Sequence, residues 1–117
     1  MIKRAGETKT DYIEKMRGGA GTVIIENLLE KERNEFNGKG RLFARITVKP
    51  GCSVGYHMHE GETETYYIVS GRGVYNDNGV TVNVAPGDVT ITTGGQGHGM
   101  ENGDEEDLVM MALILFD

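Results

Sequence analysis

Gly51-Cys52-Ser53-Val54-Gly55-Tyr56-His57-Met58-His59-Glu60-Gly61-Glu62-Thr63-Glu64-Thr65-Tyr66-Tyr67-Ile68-Val69-Ser70-Gly71 carries two of the three histidines of the chain, and its reading decides the fold. Gly55 to His59 and Glu64 to Ser70 are short runs bounded by glycine or polar clusters, the pattern of strands joined by tight turns. His57 and His59 are two residues apart, so on a strand both imidazoles point to the same face. Glu64 follows five residues after His59, which leaves room for Gly61 to turn the chain into a second strand paired with the first. The third histidine, His98, lies on a later segment.

The same short-strand pattern extends in both directions. Upstream, Leu42, Ala44, Ile46 and Val48 alternate with Phe43, Arg45 and Thr47 until Pro50-Gly51 ends the run. Thr22 to Leu29 is an apolar run rich in β-branched residues, and the charged stretch Glu30 to Gly40 reads as a solvated loop. Residues 1–21 read as a loosely held N-terminal arm with a helical turn over Asp11 to Met16, ahead of a single domain at 22–117. Downstream, Gly73 to Asn76 and Val80 to Val84 flank Asp77-Asn78-Gly79, the strongest hairpin signal in the chain, because Asn-Gly readily takes two positive φ angles. Val89 to Thr92 and His98 to Asn102 follow. Leu108 to Phe116 is apolar on both faces, as a buried strand is. Eight to ten short strands with frequent turns predict an all-β sandwich or barrel.

Composition agrees with this reading and excludes other classes. Glycine makes up 18 of 117 residues, about twice the roughly 7% of average usage, with only two prolines, which fits many tight turns. The formal net charge of −6 repels phosphate backbones and anionic lipids, so neither nucleic acid nor a membrane surface is an expected partner. No apolar run approaches the length of a membrane span, and the first residues lack the apolar core of a signal peptide, which leads to an expected cytoplasmic location. The single cysteine, Cys52, reads as a small packing residue and supplies no zinc pattern.

Three imidazoles and a carboxylate suit a first-row divalent ion, and in an octahedral shell they would leave two positions for water or substrate. Singly, each of these residues has an ordinary structural alternative, such as a satisfied core histidine or a surface carboxylate. The spacing around them adds weight. Gly51, His57, His59, Glu64 and Gly71 stand at the intervals of the first conserved motif of the cupin superfamily. Gly87, Thr93, Gly95, His98 and Asn102 resemble the second motif, with Thr93 in place of the usual proline. The chain from about Arg41 to Phe116 thus resembles the small bacterial cupins. The resemblance implies a jelly-roll β-barrel holding one metal ion on His57, His59, Glu64 and His98. Manganese is the expected ion, with iron, nickel or zinc as alternatives.

Strand parity then names further candidates. Tyr66 shares the side of Glu64 and Met100 that of His98, so either they line a pocket or they are ordinary barrel core. Tyr66 and the loop residue Glu60 are candidates for catalysis, although Glu60 and Glu62 also read as solvated loop carboxylates. Met100 and Arg45 are candidates for substrate contact, Arg45 either as an outward surface charge or as a cation entering the barrel. The function expected is a mononuclear metal-dependent enzyme acting on a small carboxylate, hydroxy-acid or keto-acid by lyase, isomerase or decarboxylase chemistry. The alternatives are an Fe(II) dioxygenase and a non-catalytic binding or sensing module. The chain also resembles oxalate-decarboxylase-like cupins. Those decarboxylases typically have two domains, an arginine three residues before the first ligand histidine and a lid glutamate; here Val54 stands at the arginine position. A homodimer is expected, with the two apolar segments and the arm covering one another between subunits.

Overall fold

A computed structural model describes residues 1–117 and consists of ten strands and two single-turn 3-10 helices. The strands are β1 (Lys9–Glu14), β2 (Thr22–Leu29), β3 (Gly40–Val48), β4 (Ser53–Met58), β5 (Glu62–Ser70), β6 (Gly73–Asp77), β7 (Val80–Val84), β8 (Val89–Thr92), β9 (Gly97–Glu101) and β10 (Leu108–Phe116). They form a six-stranded sheet in the order β1-β2-β3-β10-β5-β8 and a four-stranded sheet in the order β4-β9-β6-β7, and all their pairings are antiparallel. The spacing of strands and turns led to an all-β sandwich or barrel, and the architecture is the jelly roll that the resemblance implied.

Alternation along the strands fixes which side chains face inward. In β3, Ala44, Ile46 and Val48 are buried, while Arg45 between them is exposed. In β10, Leu108, Met110, Ala112 and Ile114 face the interior, and Val109, Met111 and Leu113 lie half-buried on the outer face. A nine-residue strand that pairs on both edges, with β3 and with β5, uses its apolar residues this way. The core between the sheets gathers Val23, Ile25, Ala44, Ile46, Val48, Val54, Tyr66, Ile68, Tyr75 and Met100 with the inward residues of β10. Asn78 and Gly79 take φ of 51° and 100°, the pair of positive angles that closes the β6–β7 hairpin.

The N-terminal segment differs from expectation. Asp11 to Met16 does not form a helical turn; Lys9–Glu14 is an edge strand paired with β2 from Lys9↔Asn27 to Glu14↔Thr22. Asp11 and Ile13 turn inward and Tyr12 and Glu14 outward, and pairing with β2 satisfies backbone groups that a single helical turn would leave open. The 3-10 turn Met16–Gly18 then carries the chain across to β4, where Ser53 N–H donates to the Ala20 carbonyl. The segment is a strap that lies over one end of the interior, and its position matters for the site.

Candidate metal centre

His57 sits near the end of β4, His59 just beyond it, His98 on β9 and Glu64 on β5. His57 and His98 are direct cross-strand partners in the smaller sheet, whereas Glu64 comes from the larger one, so β5 does not pair with β4 as expected but with β10 and β8. The four donors therefore meet across the interior. The backbone of His59 is pinned on both sides: its N–H donates to the Gln96 carbonyl and its carbonyl accepts from Gly95 N–H. The Thr93–Gln96 turn that supplies those groups is closed by Gln96 N–H to the Thr93 carbonyl, and the Thr93 hydroxyl donates to Gln96 Oε1 at 3.1 Å. Threonine thus serves this turn with a side-chain bond that proline could not make.

One ligand atom from each of the four side chains lies within 4.8 Å of the other three. The imidazole centroids are 4.7 to 4.9 Å apart, and Glu64 Oε1 is 3.1 Å from His59 Nε2 and 2.9 Å from His98 Nε2. The remote nitrogens of two rings are engaged elsewhere. His57 Nδ1–H donates to the Gly55 carbonyl at 2.8 Å, and His98 Nδ1 is 2.8 Å from the Tyr75 hydroxyl and 3.1 Å from that of Thr92. The Gly55 carbonyl fixes the His57 tautomer with its lone pair on Nε2, and the two hydroxyls beside His98 Nδ1 can accept its proton when Nε2 serves an ion, the arrangement by which second partners orient metal-bound imidazoles. The donor set and its orientation fit a divalent ion of the imidazole- and carboxylate-binding kind. Tyr66 stacks on His98, with centroids 4.9 Å apart and planes 17° from parallel, which fixes that ring further.

The electrostatics favour deprotonated donors. Burial would raise the Glu64 carboxyl, but hydrogen bonds from His59 and His98 outweigh it and hold the group at about 2. Burial lowers His57 below its ordinary value of 6.5, only partly offset by its bond to the Gly55 carbonyl. Burial, followed by the charge of Glu64, pushes the Tyr66 phenol well above its ordinary range. The consequence for the metal-free protein has one sign. Below 6.5 the unfolded chain protonates His57 more than the folded chain does, and between 4.5 and about 2 it protonates Glu64 more. Stability therefore falls with acidification through both windows. Denaturation midpoints of metal-free protein should decrease as pH drops below neutrality, and Glu64→Gln should flatten the more acidic limb. A midpoint constant from neutral pH down to the carboxylate range would contradict this.

A cavity of about 220 Å³ opens from the donors and is lined by His57, His59, Glu64 and Tyr66 together with strap and sheet residues that include Asp11, Arg17, Asn27 and Arg41. Asp11 Oδ2 accepts from Asn27 Nδ2 at 2.9 Å, and Arg41 Nε lies 2.9 and 3.1 Å from the two Glu62 oxygens. Glu62 also faces His59 Nδ1 at 3.7 Å. Of the other sequence candidates, Tyr66 lies at the site and three do not. Glu60 is exposed on its loop, and it is Glu62 that approaches the donors. Arg45 is exposed on the outer face, opposite Met111 and Glu26, so the outward alternative holds. Met100 is fully buried core and borders a separate groove beside Ser53 to Tyr56 rather than the donor cavity. Tyr75, Thr92, Arg41, Asn27 and the strap were not legible as site residues. Their approach depends on sheet pairing between residues far apart in the chain.

The fold and the converging donors define a small cupin domain with a candidate metal site. The family model described as "Cupin domain" matches residues 44–114, and the chain belongs to this family. It is 46% identical over 115 residues, 98% of this chain and 93% of the relative, to a protein of Thermotoga maritima named "Oxalate-binding protein". A crystal structure of a predicted oxalate decarboxylase from Thermotoga maritima superposes with a TM-score of 0.92 at 45% identity over the full length of both chains. The oxalate decarboxylase OxdC of Bacillus subtilis is 29% identical over 132 residues; the match takes in 96% of this chain but only 34% of that protein.

Proposed function

We propose that this protein binds a small chelating carboxylate, oxalate first among them, at a divalent ion held by His57, His59, Glu64 and His98. Manganese is the ion we assign, with iron, nickel and zinc as the alternatives that metal analysis distinguishes. When bound, the ion supplies positive charge and coordination positions that attract and orient carboxylate oxygens. The similarity to a protein named for oxalate binding supports the ligand class. The size of the cavity, about 220 Å³, suits a ligand of a few heavy atoms.

The observation that favours binding over turnover is the state of the surrounding side chains. A general acid or base must be free to exchange a proton with the reacting atoms. Asp11 is held by Asn27, Glu62 is paired with Arg41, and the Tyr66 phenol stays protonated. Glu62 and Tyr66 are thereby occupied, whereas Asp11 keeps its charge while accepting from Asn27, so lyase, isomerase or decarboxylase chemistry would have to use Asp11 as its proton carrier. Metal analysis of purified protein followed by calorimetric titration with oxalate tests the proposal. The expected result is one ion per chain, saturable oxalate binding that disappears when the metal is stripped, and no release of formate or carbon dioxide. Metal-loaded protein that gives no binding signal, or that turns oxalate over, would overturn it.

A further inference from the structure

Two guanidinium groups border the donor cavity, and they differ in one respect. Arg41 is neutralised by Glu62. Arg17 has no ion pair with any carboxylate of the chain; it stands at the exposed rim of the cavity that His57 and Tyr66 also line. We propose that Arg17, carried on the N-terminal strap, takes the anionic end of the ligand and selects a small dianionic carboxylate over a monoanionic one. The inference rests on the reading that a carboxylate occupies this cavity, and it adds the residue and the charge class.

The backbone of the strap is built to hold Arg17 in place. Lys15 and Arg17 adopt left-handed φ of 50° and 54°, a conformation that side-chain-bearing residues rarely take and that persists where the surroundings enforce it. Those surroundings are identifiable. Lys15 N–H donates to the Gly21 carbonyl at 2.8 Å, Ala20 N–H to Ser53 Oγ at 2.8 Å, and Ser53 N–H to the Ala20 carbonyl at 2.9 Å. The Arg17 carbonyl abuts Gly55 so closely that a Cβ there would collide with it. Gly55 also accepts the Nδ1–H of His57, so one short stretch of β4 positions both a candidate metal ligand and the strap. An unpaired cation held against strain at the mouth of a metal cavity adds one positive charge beyond the ion, which a second ligand carboxylate would use.

The test uses the full-length chain loaded with manganese and titrated with oxalate and with formate. Arg17→Gly removes the guanidinium and suits the left-handed backbone, so its melting temperature and manganese content should match or exceed those of the wild type. Its oxalate affinity should fall by roughly 10- to 100-fold, the worth of a charge-assisted hydrogen bond, with formate binding little changed. Arg17→Lys should recover part of the loss. Oxalate affinity unchanged in Arg17→Gly, or equal weakening for oxalate and formate, overturns the role of Arg17 while leaving the carboxylate reading intact. Wild-type protein that binds manganese and neither anion overturns that reading, and the inference with it.

Discussion

Glu64→Ala protein is expected to purify without stoichiometric metal, its affinity for a divalent ion reduced by more than the roughly 10- to 100-fold that follows loss of a group that only orients a ligand. Glu64 is the single carboxylate of the donor set and the one donor contributed by the larger sheet. Without it, three imidazoles remain with no carboxylate among them to balance the ion. Tyr75→Phe makes the useful comparison. It removes the hydroxyl 2.8 Å from His98 Nδ1 but leaves all four donors, so its loss should stay within the lower range. Elemental analysis and competition with a chelator of known affinity measure both. Full metal occupancy in Glu64→Ala would place the ion elsewhere.

Tyr66→Ala carries the largest expected cost in stability, about 3 to 5 kcal/mol, the range for truncating a buried aromatic side chain. Tyr66 is 2% exposed, stacks on His98 and meets Tyr75 edge-on with centroids 6.2 Å apart. Its removal opens a hole between the core and the donors that neither sheet can close without breaking strand register. Tyr66→Phe keeps the ring and should cost less than about 1.5 kcal/mol. Tyr67 provides the control on the same strand: it is 48% exposed on the outer face, and Tyr67→Ala should stay within roughly 0.5 kcal/mol. Denaturant midpoints at fixed slope give all three values. Equal costs at Tyr66 and Tyr67 would mean that the inward and outward faces of β5 have been misassigned.

The contrast between those adjacent tyrosines shows why so much of the fold was legible. A period of two is a local property of a strand, so the alternation in β3, β5 and β7 and the turn at Asn78-Gly79 could be read one residue after another. The four candidate donors were legible because the intervals around His57, His59 and Glu64 and those around His98 resemble the two cupin motifs, while residue types and spacing alone left each with an ordinary structural alternative. The N-terminal segment departs from expectation because β1 is short, carries polar residues on both sides and pairs only with β2. Its strand state comes from a partner that begins eight residues after it ends, and nothing within Asp11 to Met16 announces that partner. Glu60 and Glu62 illustrate the same limit. Both are loop-flanking carboxylates with similar local surroundings, yet Glu62 begins β5 and reaches Arg41, whereas Glu60 remains in solvent.

By itself, the sequence determined that this is a small all-β chain with His57 and His59 on one face, because strand periodicity and turn chemistry are written in neighbouring residues, and its resemblance to the cupin motifs added Glu64 and His98 as donors. Only the tertiary structure decided what surrounds those donors: Tyr75 and Thr92 behind His98, Arg41 spent on Glu62, and a strap that brings Arg17 to the cavity. Those contacts join residues far apart in the chain, and they form only when two sheets close on each other and the edge strand docks. The physical reason is that orientation and charge compensation belong to the packed interior, where distance in space and not in sequence sets the interaction.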